Sequence, residues 1–271
     1  MDISNTIALS VVIPAYNEAK RIERTLASAT DYLDARGIGY EILVVDDGSP
    51  DDTEAVVTAW ATAHNAALRV RVLRYEANRG KGHAVRHGIL RAGGERILFM
   101  DADLATPMAE LAKLEAVLNA AAPTETVYAI GSRDIRGKDL LVRQPWYREK
   151  LGRLFNNAVQ LLATPGVVDT QCGFKLLPRD AARAIFSRCT LDGFSFDVEA
   201  IFLATRLGFR VVEVPVRWAH QEGAAAFTSK GKYLLHGLRM IGELLRIRWA
   251  HRGLRPLKNV AVRTATVPPS A

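Results

Sequence analysis

Two kinds of hydrophobic pattern alternate through the first half of the chain. Short apolar runs, "ALSVVIP" (8–14), "YEILVVD" (40–46), "RVRVLRY" (69–75), "RILFMD" (96–101) and "VYAIGS" (127–132), have the length of strands in a covered sheet. Between them lie stretches with helical spacing. "EAKRIERTLASATDYLDAR" (18–36) predicts a helix opened by Asn17 and closed by Gly37. Ser49, followed by Asp51, Asp52 and Glu54, predicts the cap and acidic first turn of a second. Further helices are expected after the "NRGKGHA" loop, to about Arg91, and from Pro107 onward. Repeated βα units predict an α/β fold, a mostly parallel central sheet with helices on both faces. Right-handed crossovers then bring the strand ends to one edge.

The second half is less regular. Residues 134–150 have no clear period and turn helical through 163; "TPGVVDTQCGFKLLPRD" reads as loop and short strand. "FDVEAIFLATRLG" predicts a helix ended by Gly208, and "RVVEVPVRW" (210–218) a strand whose Pro215 points to a sheet edge. From 232 to 250, Leu234, Leu238, Ile241, Leu245 and Trp249 recur at helical spacing, with Lys232, Arg239 and Arg246 on another side. That pattern fits a helix packed on the core or one lying in a membrane interface. "TATVPPSA" reads as a flexible tail. There is no internal repeat and no low-complexity linker, so one domain with a C-terminal appendage is expected.

Charge sharpens this picture. Between Lys230 and Lys258 eight basic residues face Glu243 alone, a local +7 equal to the net charge of the whole chain. Basicity confined to one segment points to an anionic surface met by one element, not to nucleic acid. Cys172 and Cys189 have neither disulfide nor metal-site spacing, so packing roles in a reducing cytosol are expected. "MDISNTIALSVVIP" lacks a basic flank and reads as a first strand, and no apolar run is long enough to span a bilayer.

Candidate chemistry gathers at the strand ends, where open α/β sheets bind ligands. "PAYNE" follows the first strand, "DDGSPDD" the second, "NRGKG" the third and "DAD" the fourth. Asp46 or Asp47 could accept from ribose hydroxyls or a base N–H. Lys81 could meet phosphate oxygens, with Gly80 and Gly82 letting the backbone come near. Asp101 and Asp103, like charges two positions apart, call for a positive partner; a hard divalent cation bridging to a diphosphate would supply it.

The motifs "SVVIPAYNEAKRIERTL", "EILVVDDGSPDDT", "NRGKGHAVRHGI", "DADLATP" and "GSR" resemble those of the family 2 glycosyltransferases, in order and spacing, from about residue 8 to 250. The resemblance is nearest to the polyprenyl-phosphate sugar transferases of the dolichyl-phosphate β-glucosyltransferase type. It implies a GT-A fold, a nucleotide-sugar donor, Mg²⁺ or Mn²⁺, and inversion at the anomeric carbon. It further implies that Pro14, Tyr16, Glu18 and Asp47 line the nucleotide pocket, with Asp101 and Asp103 at the ribose, diphosphate and metal. On the acceptor side it points to Arg133, Arg136, Asp169, Gln171, Asp197, Glu199, Ser229 and Lys230, the Arg and Ser-Lys positions meeting acceptor phosphate or donor diphosphate. "WAHQEGAAAFTSKGK" departs from the pattern by extra residues between Gly223 and Ser229, which unsettles the register of Ser229 and Lys230.

The expected layout is a catalytic domain over 1–231, its nucleotide half at about 8–132 and its acceptor half at about 133–231. A basic amphipathic helix (232–252) and a flexible tail (253–271) follow. The expected reaction moves a hexose, glucose from UDP-glucose by the "DADLAT" pattern, onto a polyprenyl phosphate, on a protein held peripherally at the cytoplasmic face of a membrane. A polyprenyl phosphate is largely dianionic at neutral pH, so Asp197, Asp169 and Arg133 would position sugar or acceptor more than remove a proton. With a hydroxyl acceptor, one of the two carboxylates would have to be the base. A GDP-mannose donor, a hydroxyl acceptor, and a non-catalytic nucleotide-sugar-binding module are the alternatives.

Overall fold

The apolar runs become the strands of one sheet. The computed structural model describes residues 7–133, 163–219, 242–254 and 263–264. Strands β1 (Leu9–Ala15), β2 (Tyr40–Asp46), β3 (Val70–Arg74), β4 (Arg96–Met100), β5 (Val127–Arg133), β6 (Phe174–Pro178), β7 (Arg210–Val216) and β8 (Arg263–Thr264) are ordered β3-β2-β1-β4-β6-β5-β7-β8. All pairs are parallel except those of β6, which runs against both β4 and β5. The carboxyl ends of the parallel strands and the start of β6 therefore share one edge. β1 lies between β2 and β4, so the chain reverses its direction of winding there, and a crevice opens at the ends of β1 and β4.

Side-chain alternation sends each strand into two cores. Leu9, Val11 and Ile13 of β1 pack with α1 (Ile22–Ala35), α2 (Thr53–Ala63) and α4 (Leu111–Asn119) on one face. Val12 of β1 and Phe99 of β4 pack with α3 (Lys81–Ile89), α5 (Arg179–Phe186) and α6 (Phe196–Arg206) on the other. Gly37 and Gly208 close α1 and α6 with positive φ, as expected.

Several local expectations change. Helix α1 starts at Ile22, because residues 18–22 form a turn closed by the Arg21 and Ile22 amides on the Glu18 carbonyl. Asp52, not Ser49, is the N-cap residue of α2, and its side chain makes no capping bond. Two residues of the expected flexible tail, Arg263–Thr264, pair with β7, so that part of the tail has a place in the sheet. Pro215 sits beyond this two-residue pairing, which explains its tolerance so close to the edge.

Residues 242–250 are helical, and Leu244 and Ile247 pack onto Leu191, Val198 and Phe202. Leu245 and Trp249, from the stripe predicted to be apolar, are instead 56% and 68% exposed. The rest of the predicted basic helix, the 134–162 stretch, Arg136, Ser229 and Lys230 lie outside the described residues.

Candidate active site

The first two loops at the shared edge are built on each other. The amides of Asn17, Glu18 and Ala19 donate to Ser49 Oγ (3.1 Å), Thr53 Oγ1 (2.9 Å) and Asp51 Oδ2 (3.1 Å). Much of the "DDGSPDDT" motif thus shapes the "YNEA" turn. Asp46, fully buried, accepts from the Ser49 amide (2.8 Å) and pairs with Arg74 (3.1 Å), so its carboxylate is engaged within the protein. Asp47 accepts from Tyr75 Oη (2.7 Å) and from the amides of Arg79 (2.7 Å) and Gly80 (2.9 Å), which pins the "NRGKG" loop. Burial and the Asp47 carboxylate together push the Tyr75 phenol well above its ordinary range. Glu18 is held by Arg21, while Pro14 is half-buried and Tyr16 lies 44% exposed at the rim.

The glycines of the third loop serve protein packing more than ligand approach. Gly80 has φ +104°, and a Cβ there would run into the Asp192 carbonyl. The Gly82 amide donates to that same carbonyl (2.8 Å), and Arg86 holds the Asp192 carboxylate (2.7 Å). Lys81, at the start of α3, is thereby aimed at the end of β4. Its Nζ sits 2.6 Å from Asp101 Oδ1 and 5.5 Å from the centre of the Phe99 ring. Burial works against the charge on Lys81, but Asp101, Asp197 and Asp103 outweigh it and hold the ammonium above its ordinary range.

Asp101 is fitted against Gly173, where any Cβ would overlap the carboxylate. Its Oδ1 is buried, and its partner among the described residues is the Lys81 ammonium, 2.6 Å away. Asp103 accepts from the Ala105 amide (3.0 Å), and Leu104 between them takes a φ of +55°. A bulky residue in the left-handed region is strained, and the turn is fastened by the Ala219 amide on the Ala105 carbonyl (2.9 Å). Met100, Asp101, Ala105, Thr106, Gly173, Phe174 and Trp218 line a small cleft beside it.

Two further ion pairs complete the edge. Arg133, the last residue of β5, grips Asp169 through Nε (2.7 Å), Nη2 (2.8 Å) and its own amide (2.9 Å), and lies 5.6 Å from the Trp218 ring centre. Burial pushes the Asp169 carboxyl up, but Arg133 and the Gln171 amide more than offset this and hold it below the usual carboxylate range. Gln171 Nε2 is buried without a hydrogen-bond partner among the described residues. Lys175 of β6, register partner of Phe99, donates to the Thr170 carbonyl (3.1 Å) and pairs with Asp197 in the first turn of α6. Asp197 is 2% exposed. Burial raises its carboxyl, against the pull of Lys175 and Lys81.

Three residues of this edge escape sequence reasoning or change role. Lys175 is visible only as a charge inside the apolar "GFKLLP" run. Glu213 of β7 is buried and accepts from the amides of Val168 (2.9 Å) and Asp169 (2.8 Å), thereby setting the loop that carries Asp169. Glu199, expected on the acceptor side, accepts from Thr190 (2.9 Å), Leu191 (2.8 Å) and His251 (2.8 Å) and so fastens the C-terminal helix. Cys172 is buried, and its thiol is pushed up to about 12, which fits a packing role.

Residues 10–186 match the family described as glycosyl transferase family 2. The chain belongs to that family. Curated relatives of this glycosyltransferase include the dolichyl-phosphate beta-glucosyltransferases of Drosophila melanogaster, 39% identical over 83% of this chain and 71% of the relative, and of Homo sapiens, 39% identical over 82% and 70%. Among solved structures, glucosyl-3-phosphoglycerate synthase from Mycobacterium tuberculosis, in complex with Mn²⁺, UDP-glucose and phosphoglyceric acid, superimposes with a TM-score of 0.62 at 22% identity, covering 89% of this chain and 79% of that one. Mannosyl-3-phosphoglycerate synthase from Rubrobacter xylanophilus superimposes with 0.61 at 18% identity, covering 97% and 79%. The GT-A fold implied by the sequence motifs is the fold found.

The acidic pair suits a divalent cation completed by its substrate. Asp101 lines the cleft and Asp103 stands two positions on; both offer hard oxygen donors, and the partner of Asp101 Oδ1 is the Lys81 ammonium, 2.6 Å away. Mg²⁺ and Mn²⁺ commonly take one or two carboxylates plus substrate phosphates and water. Among the described residues no group of three or more His, Cys, Asp or Glu stands close enough to hold a metal ion.

Proposed function

We propose that this glycosyltransferase moves glucose from UDP-glucose to a polyprenyl phosphate of the dolichyl-phosphate kind, with inversion, using Mg²⁺ or Mn²⁺ at Asp101 and Asp103. The relatives' shared name supports glucose as the group moved and dolichyl phosphate as the acceptor, and the UDP-glucose bound in the synthase of like fold supports the donor. The observation that carries the acceptor is the state of the two candidate bases. Against the upward push of burial, Arg133 holds Asp169 below its ordinary range, and Asp197 is shut off from solvent on Lys175, so neither carboxylate is presented to a hydroxyl as a base. A phosphate monoester needs no such help, being largely dianionic above about pH 6. Its oxygen attacks the anomeric carbon, the bond from that carbon to the diphosphate oxygen breaks, and UDP leaves with the electron pair.

A bound cation would offset the charge growing on the departing diphosphate. Arg133, 35% exposed at its side chain and braced by Asp169, is placed to hold an anionic phosphate at the edge, with Trp218 beside it. Tyr16 and Pro14 border the nucleotide side. The reading extends to a peripheral site on the cytoplasmic face of a membrane. Exposed Phe194, Leu245 and Trp249, with Arg252 stacked 4.6 Å from the Trp249 ring centre, support an interfacial surface. No helix among the described residues is long and apolar enough to cross a membrane.

The test is turnover of UDP-glucose with Mn²⁺ in the presence of a short polyprenyl phosphate or the matching polyprenol. Lipid-linked glucose formed from the phosphate alone is the expected result. Glucosylation of the alcohol at a comparable rate would overturn the assignment.

A further inference from the structure

We infer that Lys81 is an internal counter-cation: it neutralises Asp101 until the metal binds, and the metal transfers its ammonium from Asp101 to the donor diphosphate. The inference rests on the metal reading above and goes beyond it by giving Lys81 two successive partners.

The geometry isolates the lysine stem as the moving part. The start of α3 is clamped, since Gly80 and Gly82 abut the backbone of 191–193 and Arg86 holds Asp192. Asp101 is equally fixed, with its carboxylate against Gly173 and its amide donating to the Gly173 carbonyl (3.0 Å). Between two fixed backbones, only the four-carbon stem of Lys81 is left to swing, and its side chain is 23% exposed.

Charge gives the direction of the swing. Lys81 Nζ lies 2.6 Å from the buried Asp101 Oδ1 and is its partner among the described residues, so a cation taking that oxygen must displace the ammonium. Asp197 also attracts Lys81, but its direct partner is the buried Lys175, so it does not fix the ammonium in place. A divalent ion on Asp101 and Asp103 would repel the ammonium, and the nearest incoming anion is the diphosphate drawn to that same ion. Metal and diphosphate therefore bind with positive coupling, and metal alone binds against a resident competitor.

The consequence is opposite in sign for two measurements on Lys81→Met. Free Mn²⁺, followed by its electron paramagnetic resonance signal, is expected to bind the nucleotide-free variant roughly tenfold or more tightly than the wild type, because a unit positive charge has been removed from beside the ligand. UDP, titrated at saturating Mn²⁺, is expected to bind roughly tenfold more weakly, having lost an ammonium–phosphate contact. Lys81→Arg retains the competing charge and should keep weak Mn²⁺ binding without nucleotide. Circular dichroism and the melting temperature verify that each variant is folded.

Equal or weaker Mn²⁺ binding by folded Lys81→Met would overturn the inference, showing that the lysine positions Asp101 and does not compete for it. Failure of the wild type to bind Mn²⁺ even with UDP would instead remove the metal reading, and the inference with it.

Discussion

Lys175 and Asp197 form an ion pair closed off from solvent, with side-chain exposures of 0% and 3%. The lysine stands opposite Phe99 across the β4–β6 ladder, its Nζ 5.4 Å from that ring's centre on the face that also carries Lys81. The ammonium that pairs with Asp197 and the one that pairs with Asp101 thus lie 5.4 and 5.5 Å from the centre of one aromatic ring.

Breaking this pair from one side should be costly. Lys175→Met leaves a buried carboxylate uncompensated and is expected to lower stability by about 3–5 kcal/mol, whereas Lys175→Met combined with Asp197→Leu removes both charges and should recover much of the loss. Urea unfolding of the three proteins checks this. A single variant as stable as the wild type would contradict the buried pairing.

Acid should release the Arg133–Asp169 clasp. The Asp169 carboxyl is held below its ordinary value in the folded chain, so its stabilising contribution is complete above about pH 4 and is lost as pH falls through the folded value. Melting temperature against pH should therefore fall less steeply below about pH 4 for Asp169→Asn than for the wild type. Parallel acid limbs would show that Asp169 carries none of this dependence.

Gly173 has a side-chain-free surface that Asp101 occupies. Gly173→Ala should cost about 1–3 kcal/mol of stability through overpacking, and by shifting Asp101 it should weaken Mn²⁺-dependent UDP binding at least several-fold. Isothermal titration with and without Mn²⁺ separates the two effects. Unchanged Mn²⁺-dependent affinity would mean that Asp101 does not serve the metal.

The two stripes of the C-terminal helix should respond differently. Ile247→Ser opens the contact with α6 and is expected to cost about 2–5 kcal/mol, while Leu245→Ser with Trp249→Ser, both exposed, should leave stability within about 1 kcal/mol. The exposed pair should instead weaken sedimentation with anionic vesicles. Undiminished vesicle binding by the double variant would move the membrane contact elsewhere.

That helix also shows where sequence reading stops. Leu245/Trp249 and Leu244/Ile247 both recur at helical spacing, and periodicity alone does not say which pair meets α6. The same holds for the site. The strand ends carrying Asp47 and Asp101 were legible because each follows an apolar run, and Lys81 because its glycine-flanked loop follows the next strand. The partners were not: Tyr75 reaches Asp47, Gly173 abuts Asp101, Lys175 pairs with Asp197 and Glu213 holds the Asp169 loop, all through packing between distant segments, and the antiparallel entry of β6 has no local signature. Asp46 and Glu199 carry the opposite lesson: a carboxylate at a strand end or helix start is often fully engaged in holding loops together.

The central claim is that the acceptor arrives already ionised and needs no carboxylate base. The pH dependence of turnover at saturating UDP-glucose, compared between the wild type and folded Asp197→Asn, tests it most directly. The account predicts the same acid limb near pH ~6 in both, set by the second ionisation of the acceptor phosphate. Disappearance of that limb in Asp197→Asn, with a rate loss of about 10²-fold or more, would make Asp197 the base and contradict the account.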